Sequence, residues 1–182
     1  KFYPGFPEIL DRLKVEAYDR GFALEIYVIT AGLQEMVDGS RLGPYLTRCW
    51  GCRYGENDDG TISFPMQIVT SASKVEKLYL IKRQLLEHEN EYQVNLVEPR
   101  DDLIPWANLI YLADGATDVP AFEVVRRGGG LTIAIYDSDV GEIERNMIVG
   151  RTHLMAAADY SEGSYLDRVL RAAIKNAEKL EL

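Results

Sequence analysis

The sequence has few of the residues on which several kinds of site depend. It contains only two cysteines and two histidines among 182 residues, which excludes a disulfide framework. Cys49 and Cys52 have the CxxC spacing, but a structural zinc ion needs four ligands. Neither His88 nor His153 is spaced near the cysteine pair. We therefore expect two ordinary thiols here, and no zinc or redox site.

Positive charge and long apolar runs are also scarce. Lys and Arg together number 20 against 29 for Asp and Glu, so the net charge is −9. Such a chain has no electrostatic attraction for a phosphate backbone, so we expect no nucleic-acid binding. No run of 18 apolar residues occurs, so we expect no membrane span. With so few cysteines, these absences predict a cytoplasmic protein.

What remains is the composition of one globular domain, with 47% apolar and 27% charged residues. Apolar runs rich in β-branched residues predict buried strands over 23–30, 107–113 and 131–136, with a short fourth strand over 155–158. Helical spacing predicts helices over 8–20, 74–91, 120–127 and 164–180. Residues 39–65, rich in Gly and Pro, predict an irregular insert with a hairpin across the turn at 57–60. Alternating strands and helices predict an α/β fold over 1–182, a three-layer Rossmann-like domain with a mainly parallel sheet and helices on both faces.

In such a sheet, ligands bind outside the carboxyl ends of the strands. Asp114 and Asp118 follow the strand predicted over 107–113. Mg²⁺ prefers oxygen ligands and often takes one or two protein carboxylates. The same pattern is also typical of aspartates that cap the next helix. The residues alone leave both interpretations open.

A second strand end and one lysine add to this pattern. Thr30 offers a hydroxyl, and Ala31 and Gly32 offer backbone N–H groups before a short predicted helix, an arrangement that suits an anion or a simple helix cap. Lys74 lies at the head of a long predicted helix, where a cation opposes the helix dipole. A phosphate or carboxylate partner would account for it. A solvent-exposed lysine is the alternative.

Taken together, these motifs resemble those of the haloacid dehalogenase-like (HAD) superfamily of hydrolases, mostly phosphatases. The apolar strand that ends at Thr30 resembles the second family motif, and residues 109–118 resemble the fourth, with Ala113 where the family usually has Gly. Lys74 matches the family's motif lysine, with Lys77 as the alternative. Residues 3–10 resemble the segment that leads into the second motif. The resemblance implies a HAD-like core.

One family motif is missing. The DxDx[TV] motif carries the nucleophilic aspartate and the acid/base aspartate on the first strand, and it does not occur here. The sequence therefore looks like the family core without its first strand and without any cap inserted after it. In the family, that strand lies between the strands that here end at Thr30 and Asp114. We expect the missing N-terminal segment to fill this gap as a partner piece; the alternatives are direct pairing of the two strands and a strand from another chain.

The resemblance also implies roles in phosphoryl transfer through an aspartyl-phosphate. Thr30, Ala31 and Gly32 would hold phosphate oxygens, and Lys74 would neutralise the phosphate.

The two aspartates would complete the set: Asp114 would bind Mg²⁺, and Asp118 would orient the lysine or a metal-bound water. The predicted function is the core of a magnesium-dependent phosphatase for a small phosphorylated substrate, inactive as this chain alone. The alternative is a non-catalytic phosphate-binding or interaction module of the same fold. An unrelated α/β protein with two capping aspartates is a third reading.

Overall fold

The computed structural model describes residues 2–87, 94–96, 103–137 and 149–177. In that part of the chain the strands form two separate three-stranded sheets. The first contains β1, β2 and β3, with β1 parallel to β2 and β2 antiparallel to β3. The second contains β4, β5 and β6, all parallel. The strand bounds are Tyr27–Leu33, Arg48–Glu56, Ile62–Gln67, Ile110–Ala113, Leu131–Tyr136 and Leu154–Ala157.

Five α-helices accompany these strands in the described residues, and their local sequences explain several of their ends. Thr70 and Ser73 form a reciprocal capping box at the start of α3, and Ser164 caps α5 through the N–H of Asp167. Gly129, with φ of 95°, ends α4 in the left-handed conformation that glycine adopts most readily. The bounds of α1 to α5 are Ile9–Tyr18, Gln34–Asp38, Ser71–Arg83, Val119–Gly128 and Tyr165–Lys175.

The helices cover both faces of the parallel sheet at β5. Ile133 and Ile135 point into the largest apolar cluster, which contains the buried faces of α1 and α5. Ala134, between them in sequence, packs with Phe122 of α4 on the other face. This alternation is expected of a strand with its two faces covered. The chain is therefore a mixed α/β protein with a parallel three-stranded sheet, as the sequence predicts.

Most predicted elements are present, with four differences in extent. The strand predicted over 23–30 begins only at Tyr27 and continues to Leu33. The helix predicted over 74–91 starts at Ser71 and ends at Arg83, because Gln84 takes the left-handed conformation; residues 88–91 lie outside the described part. The strand predicted over 107–113 begins only at Ile110, after a 3-10 turn at Trp106–Asn108. The helix predicted over 164–180 ends at Lys175, and residues 178–180 lie outside the described part.

The segment 39–65, predicted to be irregular apart from its hairpin, is also regular over residues 48–53, so the prediction is wrong there. It contains β2, a nine-residue strand, and most of the antiparallel hairpin to β3. Glycines at 51 and 55 and the two cysteines obscured this strand in the sequence, because those residues give neither an alternating nor a β-branched pattern. The hairpin turn at 57–60 is confirmed, since Asn57 N–H bonds the carbonyl of Thr61.

A cavity of about 1300 Å³ separates the two sheets. Tyr27–Thr30 of β1 and residues 109–114, at β4, both line it. Within the described residues, β1 and β4 do not pair with each other. Direct closure of the two strands, one of the three arrangements considered above, is therefore not observed. Their half-buried side chains also differ from the full burial that the sequence predicts, because both strands face this cavity.

No helix in the described ranges is long and apolar enough to cross a membrane.

Candidate functional site

A buried ion pair forms the centre of the candidate site. Lys74 Nζ donates to Asp118 Oδ1 at 2.7 Å, and the two residues are 5% and 4% exposed. Lys74 lies in the first turn of α3, which the capping box at Thr70 fixes, and Asp118 immediately precedes α4. The alternative of a solvent-exposed lysine is therefore wrong. Of the two lysines considered, Lys74 lines the cavity, whereas Lys77 does not.

Two further hydroxyl groups surround this pair. Tyr111 donates its phenol proton to the same Oδ1 of Asp118 at 2.5 Å. Lys74 Nζ also bonds Thr117 Oγ1 at 3.3 Å. Burial and the negative charge of Asp118 raise the pKa of Tyr111 far above its ordinary range, so the phenol stays a proton donor. Asp118 does not cap α4 with its side chain; its carboxylate binds Lys74 and Tyr111 instead.

Thr30 lies near the carboxyl end of β1, at the cavity wall. Its Oγ1 accepts the N–H of Gly32 at 3.0 Å, a side-chain (ST) turn where the pairing of β1 with β2 is irregular. Ala31 and Gly32 are exposed and belong to the last part of β1, ahead of α2. The Ala31 carbonyl accepts the thiol of Cys52 at 3.2 Å, which ties this turn to β2.

Asp114 follows β4 directly and is exposed at the cavity. Its carboxylate accepts no hydrogen bond from the described part of the chain. Burial is the main cause that raises the pKa of Tyr160 to about 12, with smaller contributions from Tyr3 and from the charge of Asp114. Among the described residues, no three His, Cys, Asp or Glu side chains cluster as a metal site. A free carboxylate still fits Mg²⁺, which commonly takes one or two protein carboxylates and completes its shell with waters and phosphate oxygens. Asp114 is the residue that would hold the ion.

The structure thus brings Thr30, Lys74, Asp114 and Asp118 to one cavity, at the carboxyl ends of β1 and β4. The sequence analysis does not identify Tyr111, because a tyrosine within an apolar strand is typical of a core residue. A signal existed: Tyr111 is the only side chain in the apolar run 107–113, apart from Asn108, that ends in a polar atom.

The CxxC pair is not part of this site. Cys49 and Cys52 are both free and buried on β2. Burial, assisted by the charge of Asp38, raises the pKa of the Cys49 thiol to about 11. Such a thiol is a poor nucleophile at neutral pH, in keeping with the prediction of ordinary thiols.

Comparison with known proteins identifies a relative without assigning a function. No family model matches the chain. An uncharacterized protein of Borreliella burgdorferi is 26% identical to it over 160 residues, which cover 79% of the chain and 55% of the relative. The chain thus spans about half the length of that relative.

Proposed function

We propose that this chain supplies part of the active site of a magnesium-dependent phosphatase of the HAD type, which acts on a small phosphorylated substrate. One observation carries the proposal: a hydroxyl, a buried ammonium and two carboxylates, from three separate segments, line one cavity at the carboxyl ends of two strands. These are the groups that phosphate binding in the presence of a divalent cation requires.

The ammonium of Lys74 is the main attractive charge for the phosphate. Asp118 and Thr117 accept two of its three N–H groups, which leaves one for a phosphate oxygen. Because the pair is buried, the ammonium is already oriented before the substrate binds, and its attraction acts in a low-dielectric site. The Thr30 hydroxyl would donate to a second phosphate oxygen.

Asp114 would hold Mg²⁺, which when bound supplies positive charge to the phosphate oxygens. The acidity of the whole chain makes this ion useful, because a net charge of −9 opposes the approach of an anion.

The nucleophile is not among these residues, and we propose that it enters with an additional strand between β1 and β4. The cavity is larger than the roughly 300–1000 Å³ of ordinary ligand pockets, and both bordering strands have unpaired edges toward it in the described residues. A parallel strand there would join the two sheets into one Rossmann-like sheet of a three-layer fold. Its carboxyl end would lie beside Lys74 and Asp114, where an aspartate could attack phosphorus.

The test is hydrolysis of p-nitrophenyl phosphate by the full-length protein, with and without Mg²⁺. We expect magnesium-dependent turnover that Asp114→Asn and Lys74→Met each abolish. Lys77→Met is the matched control, since Lys77 is also buried in α3 but lies outside the cavity wall. Inorganic phosphate binding without turnover would favour the non-catalytic module. Absence of both would overturn the proposal.

A further inference from the structure

We propose that Tyr111 is a positioning residue: its phenol fixes the Asp118 carboxylate, and through it the ammonium of Lys74 in the cavity. This inference rests on the proposed function of the same site. None of the roles that the family resemblance implies falls on this tyrosine.

The geometry places two donors on a single oxygen. Asp118 Oδ1 accepts the phenol of Tyr111 at 2.5 Å and the ammonium of Lys74 at 2.7 Å. Asp118 Oδ2 has only a longer contact, 3.4 Å, with the Thr117 hydroxyl. The hydrogen bond from the Tyr111 phenol therefore fixes the torsion of the Asp118 carboxylate about the bond that joins it to Cβ. Without it, the carboxylate could turn and the ammonium would follow.

The ring of Tyr111 is itself held firmly. It meets Phe122 edge to face, with ring centroids 5.4 Å apart and planes at 87°. Phe122 is fully buried in α4, and β4 is paired with β5 at Tyr111. A phenol on such a support cannot follow a moving carboxylate, so it acts as a fixed point.

Packing alone does not explain the hydroxyl. The buried residues that pack with Tyr111 on its own face, Phe122 and Ala134, have hydrocarbon side chains, and a phenylalanine would fill the space of the Tyr111 ring. A buried hydroxyl is tolerated only when it is hydrogen-bonded. Here its partner is the carboxylate that also binds Lys74, which connects the hydroxyl to the phosphate-binding group.

The test uses Tyr111→Phe in the full-length protein, with Tyr27→Phe as the matched control. Tyr27 also lines the cavity, and its phenol also donates to a carboxylate, that of Glu25, at 2.7 Å.

The first readout is the NMR signal of the Lys74 ammonium, assigned by its loss in Lys74→Met. We expect Tyr111→Phe to shift or broaden this signal and to weaken inorganic phosphate binding about 10-fold, the loss expected for one hydrogen bond to a charged group. Tyr27→Phe should change neither.

An unchanged Lys74 signal in a folded Tyr111→Phe variant would overturn the inference. If that variant does not fold, 3-fluorotyrosine at position 111 serves instead, because it keeps the ring and makes the phenol more acidic. We then expect the NMR signal of the Lys74 ammonium to shift. A constant signal overturns the inference. The two proposals fail separately. A shifted Lys74 signal without turnover of any phosphate ester overturns the phosphatase but not the role of Tyr111. An unchanged Lys74 signal in an active Tyr111→Phe enzyme overturns the role of Tyr111 but not the phosphatase.

Discussion

Lys74 and Asp118, 44 positions apart in the sequence, form an ion pair in which both side chains are nearly inaccessible to solvent. The pair joins the first turn of α3 to the segment that links β4 and α4. Buried ion pairs are weak evidence of stabilisation, because desolvation of both charges offsets their attraction. At the wall of the cavity, the pair holds an oriented ammonium, which the proposed phosphate site requires.

We predict that Lys74→Ala destabilises the fold by about 3–5 kcal/mol, because it leaves the Asp118 charge buried without its partner. A solvent-exposed lysine, the alternative that the sequence leaves open, would cost little stability when replaced. Urea unfolding measures the change, and Lys175→Ala, an exposed lysine in the last turn of α5, is the control. The triple variant Lys74→Met/Asp118→Leu/Tyr111→Phe should recover most of the loss, since it removes both charges and the phenol that donates to Asp118. Equal stability of wild type and Lys74→Ala would contradict the buried pair.

Asp114→Asn should weaken Mg²⁺ binding while leaving the melting temperature nearly unchanged. Asp114 is exposed and accepts no hydrogen bond within the described residues, so the substitution removes a ligand charge and no structural contact. Isothermal titration with Mg²⁺ in the full-length protein measures the affinity. Asp58→Asn, an exposed carboxylate at the hairpin turn, removes the same charge at a distance from the cavity. Equal Mg²⁺ affinity in both variants would exclude Asp114 as the ligand.

The sequence predicts the order of elements well because that order depends on local signals. The strand over 131–136 and the helix near 120–127 are found almost at their predicted bounds, since a β-branched apolar run and a Pro-started amphipathic segment have few alternatives. The strand Arg48–Glu56 is not evident from the sequence, because its glycines and cysteines give no alternating or β-branched pattern and its place in the sheet depends on pairing with β1 and β3.

The candidate site was predictable only in part, for a similar reason. Strand ends mark where Thr30 and Asp114 lie, but the sequence does not reveal which side chains meet across the cavity. The phenol of Tyr111 reaches Asp118 only because α4 turns back beside β4. The burial of Lys74 likewise depends on a tertiary contact, between α3 and the segment before α4. The sequence alone is therefore compatible with an exposed lysine at this position.

A pH-dependent contribution to stability is expected where α1 meets α5. Glu16 accepts the guanidinium of Arg171 at 2.9 Å, and the pKa of Glu16 is lowered chiefly by that bond and then by Arg20. A carboxyl group whose pKa is lower in the folded than in the unfolded state stabilises the folded protein at pH values above its unfolded-state pKa. This stabilisation is lost as the pH falls through the pKa of the folded state. Arg171→Ala should therefore lower unfolding stability more at pH 7 than at a pH well below the ordinary 4.5 of Glu16.

The control for this prediction is Arg168→Ala on the same helix. Arg168 bonds the carbonyl of Gly163, which does not titrate in this range. Its stability loss should be the same at both pH values. A pH-independent loss for Arg171→Ala as well would show that the Glu16 bond contributes nothing through its charge.

Cys49 should resist alkylation in the folded protein. Its pKa is raised to about 11, mainly by burial, and the thiolate is the reactive form. In a Cys52→Ser background we expect slow labelling by iodoacetamide at pH 8 and rapid labelling in urea. Rapid labelling of the folded protein would indicate an activated thiol and reopen the redox interpretation of the CxxC pair.

Amide hydrogen exchange tests whether a strand lies between β1 and β4 in the full-length protein. The N–H of Leu131 bonds the carbonyl of Leu109, so in a parallel ladder the alternate residues Ile110 and Leu112 direct their N–H groups away from β5 and toward the cavity. An inserted strand would pair these amides and slow their exchange by about two orders of magnitude relative to exposed amides. The internal reference is Ile133, which is fully buried in β5, between the paired strands β4 and β6. If Ile110 and Leu112 exchange as fast as the exposed turn residue Asp58 while Ile133 is protected, the cavity edge is unpaired, and the proposed nucleophile must reach Lys74 by another route.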